Sequence, residues 1–318
     1  MPILNFSRRS TSERLVQADT IDRTLFANDR LVVGEFWCPP ESRCWHGLNS
    51  VSAAPHVIFP RTPVTIRQLG RDPVVCDRNH VLYFNPGQRF FRSLRSRDGD
   101  HSYYVEPTPE LVFRLGRGLT SFPFAFGPCD PGVFLLQRLA VRHLREPNPD
   151  PLLVEECVTE AIAQALERAR SFHGLRARSR EATRAAHREI VDQTKELLAA
   201  RFRERLTMGE IAGSIGVSRY HLSRVFRACT GFSLHGYRNQ LRLRAALERL
   251  ADQHAVLPPL AAELGFSSHS HFTAAFREAF GAAPSSLRGR VGRTKLKDVL
   301  ARQAASRIVP LSAASGAD

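Results

Sequence analysis

A short unit occurs twice between residues 210 and 281, and this repeat constrains the fold more than any other feature of the sequence. The first copy reads EIAGSIGVS at 210–218 and continues to Gly231, and the second reads PLAAELGFS at 259–267 and continues to Gly281. Early positions of the copies are offset by 49 residues and later ones by 50, so one residue is added after the second turn. The repeat predicts two similar helical units.

Each unit has the pattern of two short helices joined by a turn. In the first copy, Ile211, Ala212 and Ile215 fall on one face of a short helix. Gly216 suits the left-handed residue that ends this helix, and Ser218 suits the N-cap of the next one. The second helix is polar and basic on the face opposite to its apolar stripe. This order is typical of the helix-turn-helix units that enter the major groove of DNA.

The second copy repeats this order, with two prolines tolerated in the first turn of its first helix. Either Ser267 or Ser268 is the predicted N-cap of its second helix. Residues 234–250, between the copies, predict one long helix that holds the two units at a fixed separation. The inward stripe of the last helix is formed by Phe272, Phe276 and Phe280.

The segment from about Arg188 to Arg288 resembles the DNA-binding domain of AraC/XylS-type transcriptional regulators. The resemblance implies that two recognition helices of one chain enter successive segments of the major groove. One departure is Ala274, which stands where many members carry an outward arginine. The matching residues are Ile211-Ala212, Gly216-Val217-Ser218, Leu222-Ser223-Arg224-Val225-Phe226, Gly231, Tyr237, Arg242, Ala246, Leu250, Gly265-Phe266-Ser267, His271-Phe272, Phe276-Arg277, Phe280-Gly281, Pro284-Ser285 and Arg288.

The outward faces of the two recognition helices hold the candidate DNA contacts. Arg224 is the leading candidate for a base contact, because a guanidinium can donate to O6 and N7 of one guanine. The alternatives for Arg224 are a phosphate contact or plain solvation. The resemblance places Tyr220, Ser223, Arg224, His269 and Ser270 at base-reading positions, whereas Arg219, Arg227, His271 and Arg277 are candidates for phosphate contacts.

The N-terminal half predicts a β-rich domain. Residues 31–107 contain many short strand patterns separated by turns, which is typical of a small barrel or sandwich. Beside the C-terminal motif, this region resembles the cupin-like sensory half of many AraC-type regulators. Helices are predicted over 109–170, where two amphipathic stretches either pack on the strands or form a dimer seam.

The predicted fold class is α+β with two domains. A β-barrel or cupin-like sensory and dimerisation domain with flanking helices covers residues 1–170. An all-α domain of two helix-turn-helix units joined by a long helix covers residues 188–290. An arginine-rich linker is expected at 171–187 and a basic, partly disordered tail at 291–318.

Four residues of the sensory half are candidates for an effector pocket: Trp37, His56, Arg61 and Tyr83. Arg61 beside aromatic side chains would suit a carboxylate or phenolic effector. The alternative is that these are ordinary barrel or loop residues. Cys38, Cys44 and nearby histidines match no zinc spacing, and the His-x-His pair of metal-binding cupins is absent from this half, so neither a metal nor a cofactor is predicted.

Composition points to an anionic partner. The net charge is +14, and nearly all of the 45 basic residues are arginines, which suit phosphate and guanine. No run of 18 apolar residues could span a membrane. Six widely spaced cysteines without a Cys-x-x-Cys motif predict reduced thiols in the cytoplasm, with a redox switch through Cys38 and Cys44 as the alternative.

The sequence therefore predicts a cytoplasmic, non-enzymatic, sequence-specific regulator of transcription. Its expected partners are double-stranded DNA, RNA polymerase, a small-molecule effector and a second copy of the chain. Two alternatives remain at this stage. One is a cupin-type metal-dependent enzyme fused to a DNA-binding module, and the other is a non-specific architectural DNA binder.

Overall fold

The computed structural model describes residues 20–176 and 181–306. It is an α+β chain, with strands and three helices in residues 20–176 and helices in residues 181–306. The middle of the expected linker and the end of the expected tail lie outside the described residues. The strands are β1 (Ile21–Ala27), β2 (Leu31–Cys38), β3 (Asn49–Ser50), β4 (His56–Pro60), β5 (Val64–Gln68), β6 (Val74–Cys76), β7 (His80–Phe84), β8 (Arg89–Leu94), β9 (Asp100–Pro107) and β10 (Phe126–Pro128).

The strands form two antiparallel sheets. The larger has the order β1-β2-β9-β4-β7-β10, and the smaller has the order β3-β8-β5-β6. In the larger sheet, Val105 of β9 lies opposite Val33 on one side and Val57 on the other. The strand region begins earlier than the expected residue 31, at Ile21. Strand β1 was not predicted, because this edge strand pairs with β2 alone and exposes most of its side chains.

Both faces of the larger sheet are covered, which explains why strand β7 is buried at all five positions. Leu82 and Phe84 of β7 pack between the two sheets, together with Ile66 and Phe90. The alternate residues of β7 face the helices and join the main core. Both faces of β7 are therefore apolar. The sequence alone does not show which face lies between the sheets and which faces the helices.

Three helices follow: α1 (Pro109–Leu115), α2 (Pro131–His143) and α3 (Pro151–Arg176). Helices α2 and α3 pack on each other and on the larger sheet, and every residue of α2 from Val133 to His143 is buried. The apolar stripes of α2 and α3 are therefore buried within the chain, which is the first of the two predicted alternatives. A dimer seam built from these stripes is not available in this arrangement.

The expected linker is largely helical. Helix α3 extends to Arg176, and α4 (Glu181–Arg201) begins soon afterwards. The sequence of α4 is rich in alanine, glutamate and arginine, which are good helix formers and favour a helix at the end of the arginine-rich linker. On α3, Arg168 forms an ion pair with Asp130 at 3.2 Å.

The expected tail also contains a helix, α10 (Arg293–Ser306), which returns to the N-terminal half. It packs against α2 and α3 and buries Leu296, Val299 and Leu300. These three residues have the spacing of one helical face, and the surrounding basic residues masked this pattern at the sequence level. This helix was not predicted, and the end of the tail, where disorder is expected, lies outside the described residues.

The C-terminal half has the predicted order of helices. Both glycine turns are left-handed, with φ values of 75° at Gly216 and 81° at Gly265. Elements α5, α6 and α8, α9 form the two helix-turn-helix units, and α7 joins them. The bounds are α5 (Met208–Ile215), α6 (Arg219–Thr230), α7 (Leu234–Arg249), α8 (Leu257–Glu263) and α9 (His269–Phe280), followed by a 3-10 turn at Pro284–Leu287.

Helix α7 is buried by both halves of the chain, which the sequence did not predict. Arg244 is 0% exposed and donates to the carbonyl oxygens of Arg78 and Cys129 in the N-terminal half. The Tyr237 hydroxyl donates to Asp77 at 2.7 Å. A helix expected to be a spacer between two helix-turn-helix units is thus also bonded to the β-rich half.

Cys38 and Cys44 form a disulfide, so the expectation of six reduced thiols is wrong for this pair. The chain reverses at Pro39 and Pro40 and enters a 3-10 turn at Arg43–Trp45, which brings the two sulfurs together. A spacing of six residues matches no common motif, so the sequence did not reveal the bond. The free cysteines of the described part are Cys76, Cys129, Cys157 and Cys229.

Replacing Gly265 with alanine tests the packing of the second turn. A Cβ at this position would lie 2.1 Å from the Arg203 carbonyl oxygen and 2.7 Å from an Arg242 guanidinium nitrogen. The residue also has positive φ, so Gly265→Ala is expected to lower the free energy of unfolding by at least about 2 kcal/mol. Chemical denaturation followed by circular dichroism measures this change.

Gly213→Ala is the matched control in α5, where a Cβ would meet nothing within 4 Å. Helix propensity predicts that this control raises the free energy of unfolding by about 0.5–1 kcal/mol. Equal unfolding midpoints for the two variants would contradict the proposed packing of Gly265.

Candidate nucleic-acid interface

The first recognition helix, α6, presents one apolar and one polar face. The Ser218 hydroxyl accepts from the backbone N–H of His221 at 3.2 Å and caps the helix as predicted. Leu222, Val225 and Phe226 are buried under it. The candidate DNA contacts on the opposite face are all exposed: Arg219, Tyr220, Ser223, Arg224 and Arg227.

Tyr220 stands out on this face, because 79% of its surface is exposed. An aromatic side chain of this size usually packs against other side chains, and within residues 20–176 and 181–306 it is left largely uncovered. It lies in the first turn of α6, the part of a recognition helix that approaches base edges most closely. The Tyr220 side chain is therefore accessible for contact with a thymine methyl group or a sugar.

The second recognition helix, α9, is built in the same way. The Ser268 hydroxyl accepts from the backbone N–H of His271 at 3.1 Å, so Ser268 is the N-cap rather than Ser267. Phe272, Phe276 and Phe280 are buried. The candidate contacts His269, Ser270, His271 and Arg277 are exposed, as is Ala274.

The exposed imidazoles of α9 are each bonded to a neighbour one turn away. Ser267 Oγ lies 2.9 Å from Nδ1 of His271, and Thr273 Oγ1 lies 3.4 Å from Nε2 of His269. The serine that does not cap the helix therefore orients His271. In the tautomer in which Nδ1 accepts from Ser267, Nε2 of His271 is the N–H that can donate to a phosphate or base acceptor.

His235, at the start of α7, was not among the sequence candidates. Partial burial, with Arg238, Arg242 and His271 as further causes, lowers its pKa below the ordinary value. His235 is therefore neutral at neutral pH. Its position between the two units was not visible in the sequence, because the approach of α7 to the start of α9 is a tertiary contact.

A second candidate site is a cavity of about 500 Å³ between the two sheets. Of the four effector-pocket candidates, only His56 lines it. Trp37 instead donates its indole N–H to the Asp98 carbonyl at 3.0 Å, and Tyr83 packs against Phe122 and Phe124 in the main core. Arg61 lies on the far side of the sheet, where it meets His101, Tyr103 and Glu248.

The cavity has apolar walls and a few polar groups. Apolar residues from both sheets line it, among them Ile58, Val64, Ile66, Leu82, Phe84 and Phe90. Arg92 forms an ion pair with Asp100 at 3.0 Å, and Ser102 donates to the other oxygen of Asp100 at 2.8 Å. His56 Nε2 lies 3.0 Å from Glu106. Sequence reasoning missed Arg92, because its place in β8 resembles that of an ordinary surface arginine.

Two further findings concern the described ranges as a whole. Within residues 20–176 and 181–306, no three histidine, cysteine, aspartate or glutamate side chains are grouped to hold a metal ion. In the same ranges, no helix is both long enough and apolar enough to cross a bilayer.

Comparison with known proteins gives the family. The profile of a helix-turn-helix domain family matches residues 211–290, which include both units and α7. The probable transcription factor PqrA of Proteus vulgaris is 32% identical over 85 residues, which are 27% of this chain and 70% of PqrA. The chain belongs to the AraC/XylS family of transcriptional regulators.

Two further relatives match over shorter shares of their length, and one solved structure matches over nearly all of its length. The HTH-type transcriptional regulator GlxA of Rhizobium meliloti is 38% identical over 89 residues, which are 28% of this chain and 26% of GlxA. The chain spans 40% of the Msm operon regulatory protein of Streptococcus mutans. An AraC-type regulator structure from Chromobacterium violaceum has a TM-score of 0.30 and 27% identity, covering 38% of this chain and 96% of that one.

In this AraC/XylS-family chain, the two serines before α9 have separable roles that mutagenesis can test. Ser268→Ala removes the N-cap and is expected to lower the free energy of unfolding by about 1 kcal/mol. Ser267→Ala keeps the cap and is expected to leave stability within about 0.5 kcal/mol of the parent chain. Thermal unfolding of the two variants measures the difference, and a larger loss for Ser267→Ala would contradict the assigned cap.

Proposed function

We propose that this chain is a sequence-specific regulator of transcription that inserts α6 and α9 into successive segments of the DNA major groove. The observation that carries the proposal is the exposure of two equivalent polar faces, one on each recognition helix. Each helix is capped at its start and buried along its opposite stripe. Helix α7 joins the two units as one continuous element of 16 residues.

The residue roles follow from side-chain chemistry. Arg224, in the middle of the exposed face of α6, can donate two hydrogen bonds to one guanine. Tyr220, Ser223, His269 and Ser270 are the other proposed base contacts. Exposed arginines at the edges of the two faces suit phosphates, which fix register without reading sequence. The proposed phosphate contacts are Arg219, Arg227, His271 and Arg277.

The two alternatives are less well supported. A non-specific architectural binder does not require two recognition faces of defined polarity. A metal-dependent enzyme of the cupin type requires a group of ligands on one face, and the described residues provide no such group. The proposal includes cytoplasmic action with RNA polymerase as a partner, and binding as a homodimer that uses a surface other than the buried stripes of α2 and α3.

Arg224→Ala tests the base-reading role. The operator is first identified by capture of bound genomic fragments, and its affinity is compared with that of scrambled DNA by fluorescence anisotropy. We expect the variant to lose about 1–3 kcal/mol of discrimination, because a bidentate contact to guanine is removed. Alanine at Arg219 or Arg227 should instead weaken both DNAs together and reduce the salt dependence.

Arg249→Ala is the control for this experiment. Arg249 is an exposed arginine at the end of α7 that pairs with Glu263 at 2.9 Å, outside both recognition helices. Its removal should change neither affinity by more than about twofold. Discrimination that survives in Arg224→Ala would remove the assigned role of that residue.

We further propose that the cavity binds a small-molecule effector with an apolar body and at least one hydroxyl or carbonyl group. Its volume falls within the range of about 300–1,000 Å³ that is common for ligand pockets. Arg92, Ser102 and His56 line the cavity and supply the polar groups that can contact an oxygen of the ligand. Because Asp100 already neutralises Arg92, an uncharged ligand suits the cavity better than the carboxylate suggested by Arg61.

A thermal-shift screen tests the effector site, using uncharged hydroxylated compounds beside their carboxylate analogues. A ligand at one hundred times its Kd should add about 2.7 kcal/mol to the free energy of unfolding. Ile66→Phe fills the cavity and should abolish the shift, whereas Leu69→Phe, at an exposed position beyond β5, should preserve it. A shift that persists in Ile66→Phe would place the ligand elsewhere.

A further inference from the structure

Strand β9 separates the cavity from the DNA-binding half by the thickness of one sheet. Alternate side chains of this strand point in opposite directions. Asp100 and Ser102 line the cavity. The neighbouring residues His101 and Tyr103 lie on the other face, where they meet Arg61. Any ligand that displaces the first pair therefore acts on the same backbone that carries the second pair.

The far face of the sheet carries a connected group of charges. His101 Nε2 lies 3.0 Å from Glu35, and Nδ1 of the same ring lies 3.2 Å from Arg61. Arg145 also reaches Glu35, at 3.3 Å. The carbonyl of His101 accepts from the backbone N–H of Arg61 at 2.7 Å. Arg61 is thus fixed to β9 by both its backbone and its side chain.

Arg61 also reaches the DNA-binding half. Its Nε lies 3.4 Å from Glu248 of α7, and Arg78 meets the other oxygen of Glu248 at 3.2 Å. Burial opposes the charge of Glu248, yet Arg78, Arg138 and Arg61 lower its pKa below the usual value. The carboxylate is therefore ionised and held by arginines of the N-terminal half.

Helix α7 can carry a displacement to both recognition helices. It contacts α6 of the first unit and α9 of the second. Tyr237, Arg244 and Glu248 occupy one stripe of α7 at intervals of seven and four residues, and all three bond to the N-terminal half. A change in the contacts of these three residues therefore alters the positions of the two helix-turn-helix units relative to DNA.

We propose that occupancy of the cavity is transmitted to the DNA-binding half through strand β9 and the ion pair between Arg61 and Glu248. The proposal rests on the effector and DNA-binding roles given above and specifies how one regulates the other. A ligand that displaces Asp100 or Ser102 moves His101 and Arg61, which changes the attachment of α7.

Hydrogen exchange of α7 in the full chain tests this route without a known ligand. Ser102→Leu places additional apolar volume in the cavity and stands in for occupancy. We expect it to increase exchange of amides in 237–249 about tenfold. In a Glu248→Gln background, the added effect of Ser102→Leu should fall below about twofold, because the connection is already broken.

The control is Glu263→Gln, which removes an exposed carboxylate of the DNA-binding half that pairs with Arg249 and Arg203. In this background, Ser102→Leu should retain its full effect. Ser102→Ala is a second, milder variant, because it only removes the hydrogen bond to Asp100. An equal effect in the Glu248→Gln background, or altered exchange in β9 without any change in α7, would overturn the route.

DNA binding is measured separately on the same proteins by anisotropy. If the hydrogen-exchange results are as expected but operator DNA does not bind, the proposed regulatory function is wrong and the proposed route through β9 is supported. If operator DNA binds but the cavity variants leave α7 unchanged, the regulatory function stands and the route fails.

Discussion

The burial of α7 between two halves of the chain is the constraint on which the rest of the structure depends. Arg244 carries a guanidinium with no exposure to solvent, and such a group is tolerated only when neighbouring acceptors replace water. Those acceptors are backbone carbonyls of the N-terminal half. The DNA-binding half therefore cannot separate from the N-terminal half without exposing Arg244 to water and losing its two carbonyl acceptors.

The sequence predicted well those parts of the structure that depend on local chemistry. Gly216 and Gly265 were expected to end short helices, and their positive φ values confirm this. The buried and exposed faces of α6 and α9 follow from periodicity alone. Prediction failed where a tertiary contact decides the outcome. Residues 234–250 were expected to form a helix that only separates the two units, and nothing in the local sequence indicated that Arg244 is enclosed by the N-terminal half.

The four effector-pocket candidates show a second limit of sequence reasoning. His56 and Tyr83 both lie on strands of the larger sheet, yet only His56 lines the cavity. Because both faces of that sheet are buried, hydrophobic alternation does not reveal which face is the interior of the sandwich. Arg61 lies on the face of the sheet where α7 packs. No local sequence pattern shows which face that is.

The positive charge of the chain serves two purposes that the composition does not separate. A net charge of +14 suggests a strongly basic DNA-facing surface. Several arginines are instead enclosed at the contact between the halves, where Arg61 and Arg78 hold Glu248 and Arg142 donates to the Leu287 carbonyl at 3.1 Å. Salt screens exposed charges far more than enclosed ones. Ionic strength should therefore weaken attraction to phosphates while the contact between the halves persists, so the orientation of the two units is set independently of the strength of DNA binding.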